Sequence, residues 1–331
     1  MKATKIFKDK NFIECLKKRT FDNKGNYIKI FDEKDEIIEG NIDKVTYISC
    51  TNYWITNIDG ISIFINLRIL DLRYNNIKNL PNEIGNLKNL EILDLHNNQI
   101  KEIPKEIGNL INLKILNLFH NQIEELPKEI WNLKNLEILY LRGNNLELLP
   151  TEIGNLWNLK ILDLSDNQIK ELPEGIEKLI NLKHLDLNWN QLQLLPSKIG
   201  NFKKLEDLDL KNNKLQSLPK EINKLQNLEL LDLRNNNLQG LPKEILKLNK
   251  LKWLHLNNAF DLSNLKQNPE ILFKILKNLE EKKTNKENNI IDTKSLTYLK
   301  EKVYPILIKE KYRIKDLKHI KDNLNLDNFN F

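Results

Sequence analysis

The chain has 331 residues and a formal net charge of +6, with 40% hydrophobic and 30% charged residues. With a mean hydropathy of −0.52, this balance excludes both an intrinsically disordered chain and a bundle of membrane-spanning helices. The 15 basic and 11 acidic residues of 260–331 account for +4 of the net charge. The rest of the chain is therefore close to neutral, which argues against a long phosphate-binding surface.

Residues 1–44 precede the periodic part of the chain, and we predict that they form an N-terminal cap with a short helix around 11–18 and a hairpin around 27–38. Residues 1–16 contain no uninterrupted apolar stretch, which argues against a secretory signal peptide.

The two cysteines, Cys15 and Cys50, match no metal-ligand spacing and are too few for the disulfide-rich caps of many extracellular repeat proteins. We therefore interpret Cys50 as a small hydrophobic residue of the core. A reducing compartment follows from this interpretation, either the cytoplasm or a host cell into which the protein is delivered.

A period of 23 residues dominates the sequence from Leu67 to Lys250, and it corresponds to eight units. The period is visible in eight of the ten prolines: Pro81, Pro104, Pro127, Pro150, Pro173, Pro196, Pro219 and Pro242. Within each unit, Leu70 to Leu72 and its equivalents alternate as in a strand, while Ile84 and Leu87 have helical spacing. One unit cannot bury its apolar face alone, so stacked units with a parallel sheet along one side are predicted.

One asparagine per unit follows the predicted strand, at the point where the chain must turn: Asn75, Asn98, Asn121, Asn144, Asn167, Asn190, Asn213 and Asn236. An inward-pointing amide has two donor hydrogens and an acceptor oxygen, so it can satisfy backbone groups that the turn leaves unpaired. We predict a structural ladder of buried asparagines.

The repeat array is predicted to cover residues 45–259, as one 22-residue variant, eight 23-residue units and one partial unit. Residues 260–331 are predicted to form a C-terminal helical cap or tail. Its first helix would begin at Pro269, and a second would begin near Asp292 and bend or stop before Pro305. A third amphipathic stretch would carry Leu317, Ile320 and Leu324.

The repeat pattern LxxLxLxxNxLxxLPxxIxxL resembles that of leucine-rich repeat proteins of the bacterial and Ras-group-related type, over 184 of the 331 residues. The resemblance implies an α/β fold, namely a horseshoe-shaped solenoid with a parallel β-sheet on its concave face. It also implies a non-enzymatic scaffold or interaction module that binds another macromolecule, usually a protein, on that face.

Side chains alternate along a strand, so residues 69, 71 and 73 and their equivalents face the concave side. The isoleucines at position 69 and its equivalents form a strip that is either a contact surface or a well-stacked part of the sheet. Several units carry side chains that depart from their neighbours and are of types that dominate binding energy. The candidate partner-binding residues are Phe119, His120, Tyr140, Arg142, His184, Trp189 and Trp253. Neutral drift in a repeat protein is the alternative reading.

We predict no catalytic residues, metal or cofactor, because the sequence contains no phosphate-binding glycine motif, nucleophile elbow or cysteine after Cys50. The aspartates at position 71 and its equivalents recur in most units and are interpreted as consensus residues. We expect a monomer with a protein partner and no small-molecule substrate. The alternative function is an adaptor for nucleic acid or an anionic membrane that uses the basic residues 305–322.

Overall fold

A computed structural model describes residues 1–264, 267, 269–281 and 290–309. Each 23-residue unit contributes one short strand and one short 3₁₀ helix, and the units stack in chain order. The amphipathic stretch around Leu317 and most of the basic segment 305–322 lie outside the described residues. No described helix is long and apolar enough to cross a membrane.

The sheet has eleven strands that follow one another in chain order. The first pair is antiparallel and all later pairs are parallel and in register, so that Leu70 pairs with Leu93. The strands are β1 Thr20–Phe21, β2 Tyr47–Ser49, β3 Ile69–Asp71, β4 Ile92–Asp94, β5 Ile115–Asn117, β6 Ile138–Tyr140, β7 Ile161–Asp163, β8 His184–Asp186, β9 Asp207–Asp209, β10 Leu230–Asp232 and β11 Trp253–His255.

The opposite side of the solenoid is built from short 3₁₀ helices. From the second helix onward a proline precedes each one in an extended conformation, as at Pro81 with φ −69° and ψ 146°. Proline suits this place because its φ is fixed and the missing N–H is not needed at a helix start. The helices are Ile61–Ile63, Asn82–Asn86, Lys105–Asn109, Lys128–Asn132, Thr151–Asn155, Glu174–Lys178, Ser197–Asn201, Lys220–Lys224 and Lys243–Lys247.

Successive 3₁₀ helices approach each other closely at the glycines. A Cβ atom on Gly85 would lie 2.5 Å from the backbone oxygen of Glu106, so a larger residue there requires the neighbouring helix to move. Trp131 stands at the equivalent position of the third unit and is fully buried. The stacking of helices therefore differs locally around this unit.

The core runs between the sheet and the 3₁₀ helices and consists of the leucines and isoleucines that recur in each unit. The asparagine ladder is confirmed. Asn98 donates from Nδ2 to the carbonyl oxygens of Leu72 at 3.0 Å and Leu95 at 2.9 Å, and its Oδ1 accepts from the Ile77 N–H at 3.0 Å. Each ladder asparagine thus pairs buried backbone groups of two neighbouring units, which offsets the cost of burying them.

The N-terminal segment contains α1 Ala3–Ile6, α2 Lys10–Leu16 and α3 Glu39–Ile42, and two antiparallel bridges, Phe21 with Tyr27 and Phe31 with Ile37. Asp9 caps α2 by accepting from the Asn11 N–H at 2.7 Å, and its second oxygen accepts from the Thr56 N–H at 2.7 Å. One carboxylate therefore joins the cap to the first unit, and these hydrogen bonds lower the pKa of Asp9 despite partial burial.

Cys15 of α2 and Cys50, directly after β2, form a disulfide with a Cα–Cα distance of 5.6 Å. The interpretation of Cys50 as an unpaired core residue is wrong, although both cysteines are fully buried. The error arose because the pairing depends on how α2 lies against the first unit, which the cysteine count does not reveal. The prediction of a reducing compartment rested on unpaired cysteines and loses that basis.

The C-terminal segment contains α4 Pro269–Glu281, α5 Thr293–Tyr298, a π-helix Leu299–Val303 and α6 Tyr304–Lys309. Asp292 caps α5 by accepting from the Ser295 N–H at 3.1 Å. A stop before Pro305 does not occur, because the chain continues without a gap from α5 through the π-helical turn into α6. The π-helical turn changes the backbone hydrogen-bond pattern directly before this proline, which lacks an N–H. Ile290 accepts a backbone hydrogen bond from Leu254 of β11 at 2.6 Å, so this segment covers the last strand.

Candidate functional site

The concave face presents the side chains that alternate with the buried leucines. The isoleucines at position 69 and its equivalents are half-buried and pair in register from β3 to β7. Stacked strands about 4.8 Å apart make this face roughly 40 Å long over eight units. A surface of this size, open along its length, suits a macromolecule.

An aromatic cluster lies across four consecutive units at one end of this face. Its rings are linked by centroid distances of 4.9 Å from Tyr74 to His96, 6.0 Å from His96 to Phe119 and 4.1 Å from Phe119 to His120. The guanidinium of Arg142 lies 5.4 Å from the centroid of the Phe119 ring. We call these five residues the aromatic cluster. Contacts between rings and between a cation and a ring hold the side chains in place before any partner binds.

Three aromatic side chains of this face start from a left-handed backbone position. Tyr74, His120 and Trp189 have φ of 56°, 49° and 52°, and each directly precedes a ladder asparagine. Other units use Asn97, Asp166 or a glycine there, residues that accept this conformation at lower cost. Trp189 is 59% exposed. Burial of its ring therefore offsets little of the free-energy cost of its left-handed backbone conformation.

The candidate residues predicted from the sequence separate into groups. Phe119, His120 and Arg142 are brought together in the aromatic cluster. Tyr140 is half-buried and pairs in register with Asn117 and Asp163 of the neighbouring strands.

The remaining three candidates lie farther along the solenoid. The Nδ1 atom of His184 lies 2.6 Å from the Oδ2 atom of Asp207. Trp189 follows β8, and Trp253 lies exposed on the last strand. The seven residues thus share one side of the solenoid without forming a single patch.

Sequence comparison of the units missed two members of the aromatic cluster, Tyr74 and His96. Both stand in the same unit positions as His120 and Phe119, respectively, which were selected. The aromatic residue before the ladder asparagine was the available signal.

Aspartates occupy position 71 and its equivalents in most units, and they form a row along the concave face. Some of these aspartates bind an arginine of their own unit. At the ends of the row Asp71 and Asp232 bind the arginines two residues ahead, with Arg73 Nε 2.8 Å from Asp71 Oδ1 and Arg234 Nε 2.9 Å from Asp232 Oδ1. In the middle, Asp186 accepts from the Asn188 N–H at 2.9 Å and lies in register between two other aspartates. Burial, and then the charges of those neighbours, raise the pKa of Asp186 to about 7.

We expect Asp186→Asn to stabilise the protein above neutral pH. Because the folded-state pKa lies above the ordinary value of 3.8, the folded state binds this proton more tightly, and the carboxylate costs stability as the pH rises through 7. At pH 8 the free energy of unfolding should increase by at least about 1 kcal/mol, since one pKa unit corresponds to about 1.4 kcal/mol. Urea denaturation between pH 4 and 8 measures this, and a gain of equal size at both ends would contradict it.

Two family models match the chain. One, described as a leucine-rich repeat region, matches residues 45–116 and 145–214. The other, described as a leucine rich repeat, matches residues 88–146 and 203–259, so that the two together cover 45–259 without a gap. The chain belongs to the leucine-rich repeat family. Proteins of this family generally mediate protein–protein interaction. A comparison with curated proteins found no match to the chain.

Solved structures of leucine-rich repeat proteins resemble this one. A Leptospira interrogans leucine-rich repeat protein is 39% identical, with a TM-score of 0.67 over 72% of this chain and 61% of its own. An internalin of Listeria monocytogenes, InlF, has a TM-score of 0.60 over 89% of this chain and 94% of its own, and at 21% identity it shows the fold alone. The plant peptide hormone receptor RGFR1, in complex with RGF2, is 29% identical with a TM-score of 0.50, over 65% of this chain and 43% of its own.

Among the residues that the structure describes, no group of three or more His, Cys, Asp or Glu side chains could hold a metal ion. The ring of Phe119 contacts both His96 and His120. In this leucine-rich repeat protein the two histidines belong to the packing of the aromatic cluster.

Proposed function

We propose that the protein is a non-enzymatic interaction module that binds a protein partner on its concave face. The aromatic cluster is the observation that carries this proposal. It places Tyr74, Phe119 and Arg142 side by side across several units, and tyrosine, tryptophan and arginine are the residue types that most often dominate binding energy.

The aspartate row gives the proposed contact surface two chemically different regions. The N-terminal part of the face carries rings and the guanidinium of Arg142, whereas β7 to β9 carry Asp163, Asp186 and Asp209 in register. A partner with an acidic or aromatic patch beside a basic one would match both regions, and such complementarity determines orientation as well as rate of association.

One structural relative supports the choice of a protein ligand. The plant peptide hormone receptor RGFR1, which shares the fold, is seen in complex with RGF2. We extend to this chain only the class of ligand, a polypeptide.

We expect the double substitution Phe119→Ala and Arg142→Ala to weaken capture of the partner at least about 10-fold, since each hot-spot residue contributes about 2 kcal/mol or more. Quantitative mass spectrometry of proteins captured from the source organism by the immobilised full chain measures this. Circular dichroism should show an unchanged fold, because neither side chain belongs to the buried core.

The matched control is a second pair with the same geometry on the other side of the solenoid. Lys134 Nζ lies 5.4 Å from the centroid of the Trp157 ring, the distance also found between Arg142 and Phe119. Lys134→Ala with Trp157→Ala should leave capture unchanged. Equal losses for both double variants, or no loss for either, would refute binding through the concave face.

A further inference from the structure

The aspartate row binds a guanidinium group at each of its ends. Arg73 donates to Asp71 from Nε and from Nη2, both at 2.8 Å, and its Nε also lies 3.9 Å from Oδ2 of Asp94 on the next strand. Arg234 donates from Nε to the two oxygens of Asp232 at 2.9 and 2.8 Å. The guanidinium has five N–H donors in one plane, so one arginine can bind a carboxylate through two hydrogen bonds and approach the carboxylate of the next strand.

The middle of the aspartate row lacks these arginines. Asp163 and Asp186 are followed two residues later by Ser165 and Asn188, whose backbone N–H groups donate to Oδ1 of the aspartate of their own unit, each at 2.9 Å. Among the described residues, no hydrogen bond reaches Oδ2 of either aspartate. The two carboxylates pair in register on adjacent strands about 4.8 Å apart, and each keeps one oxygen that can accept from a further donor.

The basic side chains of the adjacent units do not take the place of the missing arginines. The guanidinium of Arg142 lies 5.4 Å from the centroid of the Phe119 ring, and Lys211 donates to Asp209 from its backbone N–H at 2.9 Å. In the described part of the chain, neither of these two cations forms an ion pair with a carboxylate. Accordingly, burial and the charges of the adjacent aspartates raise the pKa of Asp186 to about 7, although Arg142 acts in the opposite direction.

An exposed indole lies in the same unit as Asp186. Trp189 directly follows Asn188, whose Nδ2 donates to Oδ1 of Asp186 at 2.6 Å, and its backbone is left-handed. The face of an aromatic ring attracts a guanidinium group, and on this same face Arg142 already lies against Phe119. The unit therefore combines the two kinds of group that bind arginine, a carboxylate and an aromatic ring.

We propose that the protein partner inserts an arginine side chain over β7 and β8, where its guanidinium binds Asp163 and Asp186. It would bind as the arginines at the ends of the row bind their own aspartates. Arginine fits better than lysine, because its planar fork can bind two carboxylates at once, whereas an ammonium group is a compact point charge. The inference rests on the function proposed above and states which side chain the partner contributes.

The first test uses the peptide acetyl-Gly-Arg-Gly-amide as a probe of the arginine site. Added to the ¹⁵N-labelled full chain at pH 8 and low salt, it should cause saturable NMR shifts at the amides of Ser165 and Asn188. The same peptide with citrulline, which has a similar shape and no charge, should bind at least about fivefold more weakly, because a charged donor binds a carboxylate about twice as strongly as a neutral one. Absence of saturable shifts at these amides, or equal affinity for both peptides, would overturn the proposal.

A matched pair of variants tests the position of the site. Asp186→Asn should weaken binding of the arginine peptide at least about fivefold, and it should not unfold the protein, because we expect it to be more stable than the parent at pH 8. The control is Asp166→Asn, which removes the same charge from an exposed position of the neighbouring unit and should weaken binding less than about twofold. Equal losses would mean that the peptide responds to net charge alone and would contradict an arginine site.

Binding should also follow the protonation of Asp186. Lowering the pH from 8 to 6 should weaken it about fivefold or more, because at a pKa of about 7 most of the carboxylate is protonated at pH 6. The other charged or titratable side chains of this part of the concave face are Asp163, Asp207, Asp209, Arg142, Lys211 and His184. The pH dependence should vanish in Asp186→Asn and persist in His184→Gln, and the reverse pattern would overturn the proposal.

Capture of the partner separates this inference from the function on which it rests. At pH 8, Asp186→Asn should reduce capture at least about fivefold for the same protein that the Phe119→Ala and Arg142→Ala double variant loses. Loss in the double variant alone would overturn the arginine site and leave the proposed function intact. Unchanged capture in both variants would refute the proposed function, and the inference with it.

Discussion

Replacing Asn144 by alanine should destabilise the protein by about 2 to 6 kcal/mol. Asn144 donates to the carbonyls of Leu118 at 3.0 Å and Leu141 at 2.9 Å, and accepts from the Ile123 N–H at 3.0 Å. Alanine leaves the Ile123 N–H without its acceptor, which costs about 1 to 3 kcal/mol. Each carbonyl loses one bond worth about 0.5 to 1.5 kcal/mol but keeps another, because Asn121 also donates to Leu118 and Asn167 also donates to Leu141. Guanidinium denaturation measures the loss, and hydrogen exchange should show the Ile123 amide opening more readily than in the parent.

The next residue provides the control. Asn145 has the same side chain but is exposed, and Asn145→Ala should change stability by less than about 0.5 kcal/mol. If the two substitutions had similar effects, the buried amide would not be what holds neighbouring units together.

Removing the disulfide should loosen the N-terminal cap by about 3 to 4 kcal/mol. Cys15 and Cys50 are 35 residues apart in sequence, and cross-linking a loop of this length restricts the unfolded chain by that amount. In Cys15→Ala with Cys50→Ala, the melting temperature should fall and residues 1–44 should lose protection from hydrogen exchange. Because neighbouring units interact only locally, the protection of the distant units should change far less.

A thiol reductant separates the disulfide from the side chains themselves. It should lower the melting temperature of the parent protein and leave that of the double alanine variant unchanged. Alkylation of the unreduced, denatured parent should modify neither cysteine. Full alkylation of both residues before reduction would show that the bond does not form.

The periodic part of the fold could be predicted from the sequence, because the positions assigned in one unit apply to all the others. Once Pro81 and its equivalents set the period, the strand positions and the buried ladder position of Asn98 followed, and the in-register pairing of Leu70 with Leu93 agrees with them. Repetition also identified the concave face. Phe119 and Arg142 could be selected because each differs from its equivalents in neighbouring units.

Features that depend on contacts between non-periodic parts were not accessible in this way. To predict the bond between Cys15 and Cys50, one would have to know that α2 lies against the first unit. The helix through Pro305 depends on a π-helical turn stabilised by packing. The aromatic cluster, likewise, depends on ring orientations across units, and no spacing rule predicts that Tyr74 meets His96.

The covering of both ends of the sheet limits how the molecule can grow. At one end β1 pairs antiparallel with β2, and at the other the backbone of Ile290 and Ile291 pairs with Leu254 of β11. An uncovered parallel edge with the same 23-residue register would accept another copy as its next unit. The covered ends therefore leave neither edge strand of the parallel array open to pairing with another copy. A solenoid that could add copies without limit, as a fibre does, is held to a finite length by a few backbone hydrogen bonds at each end.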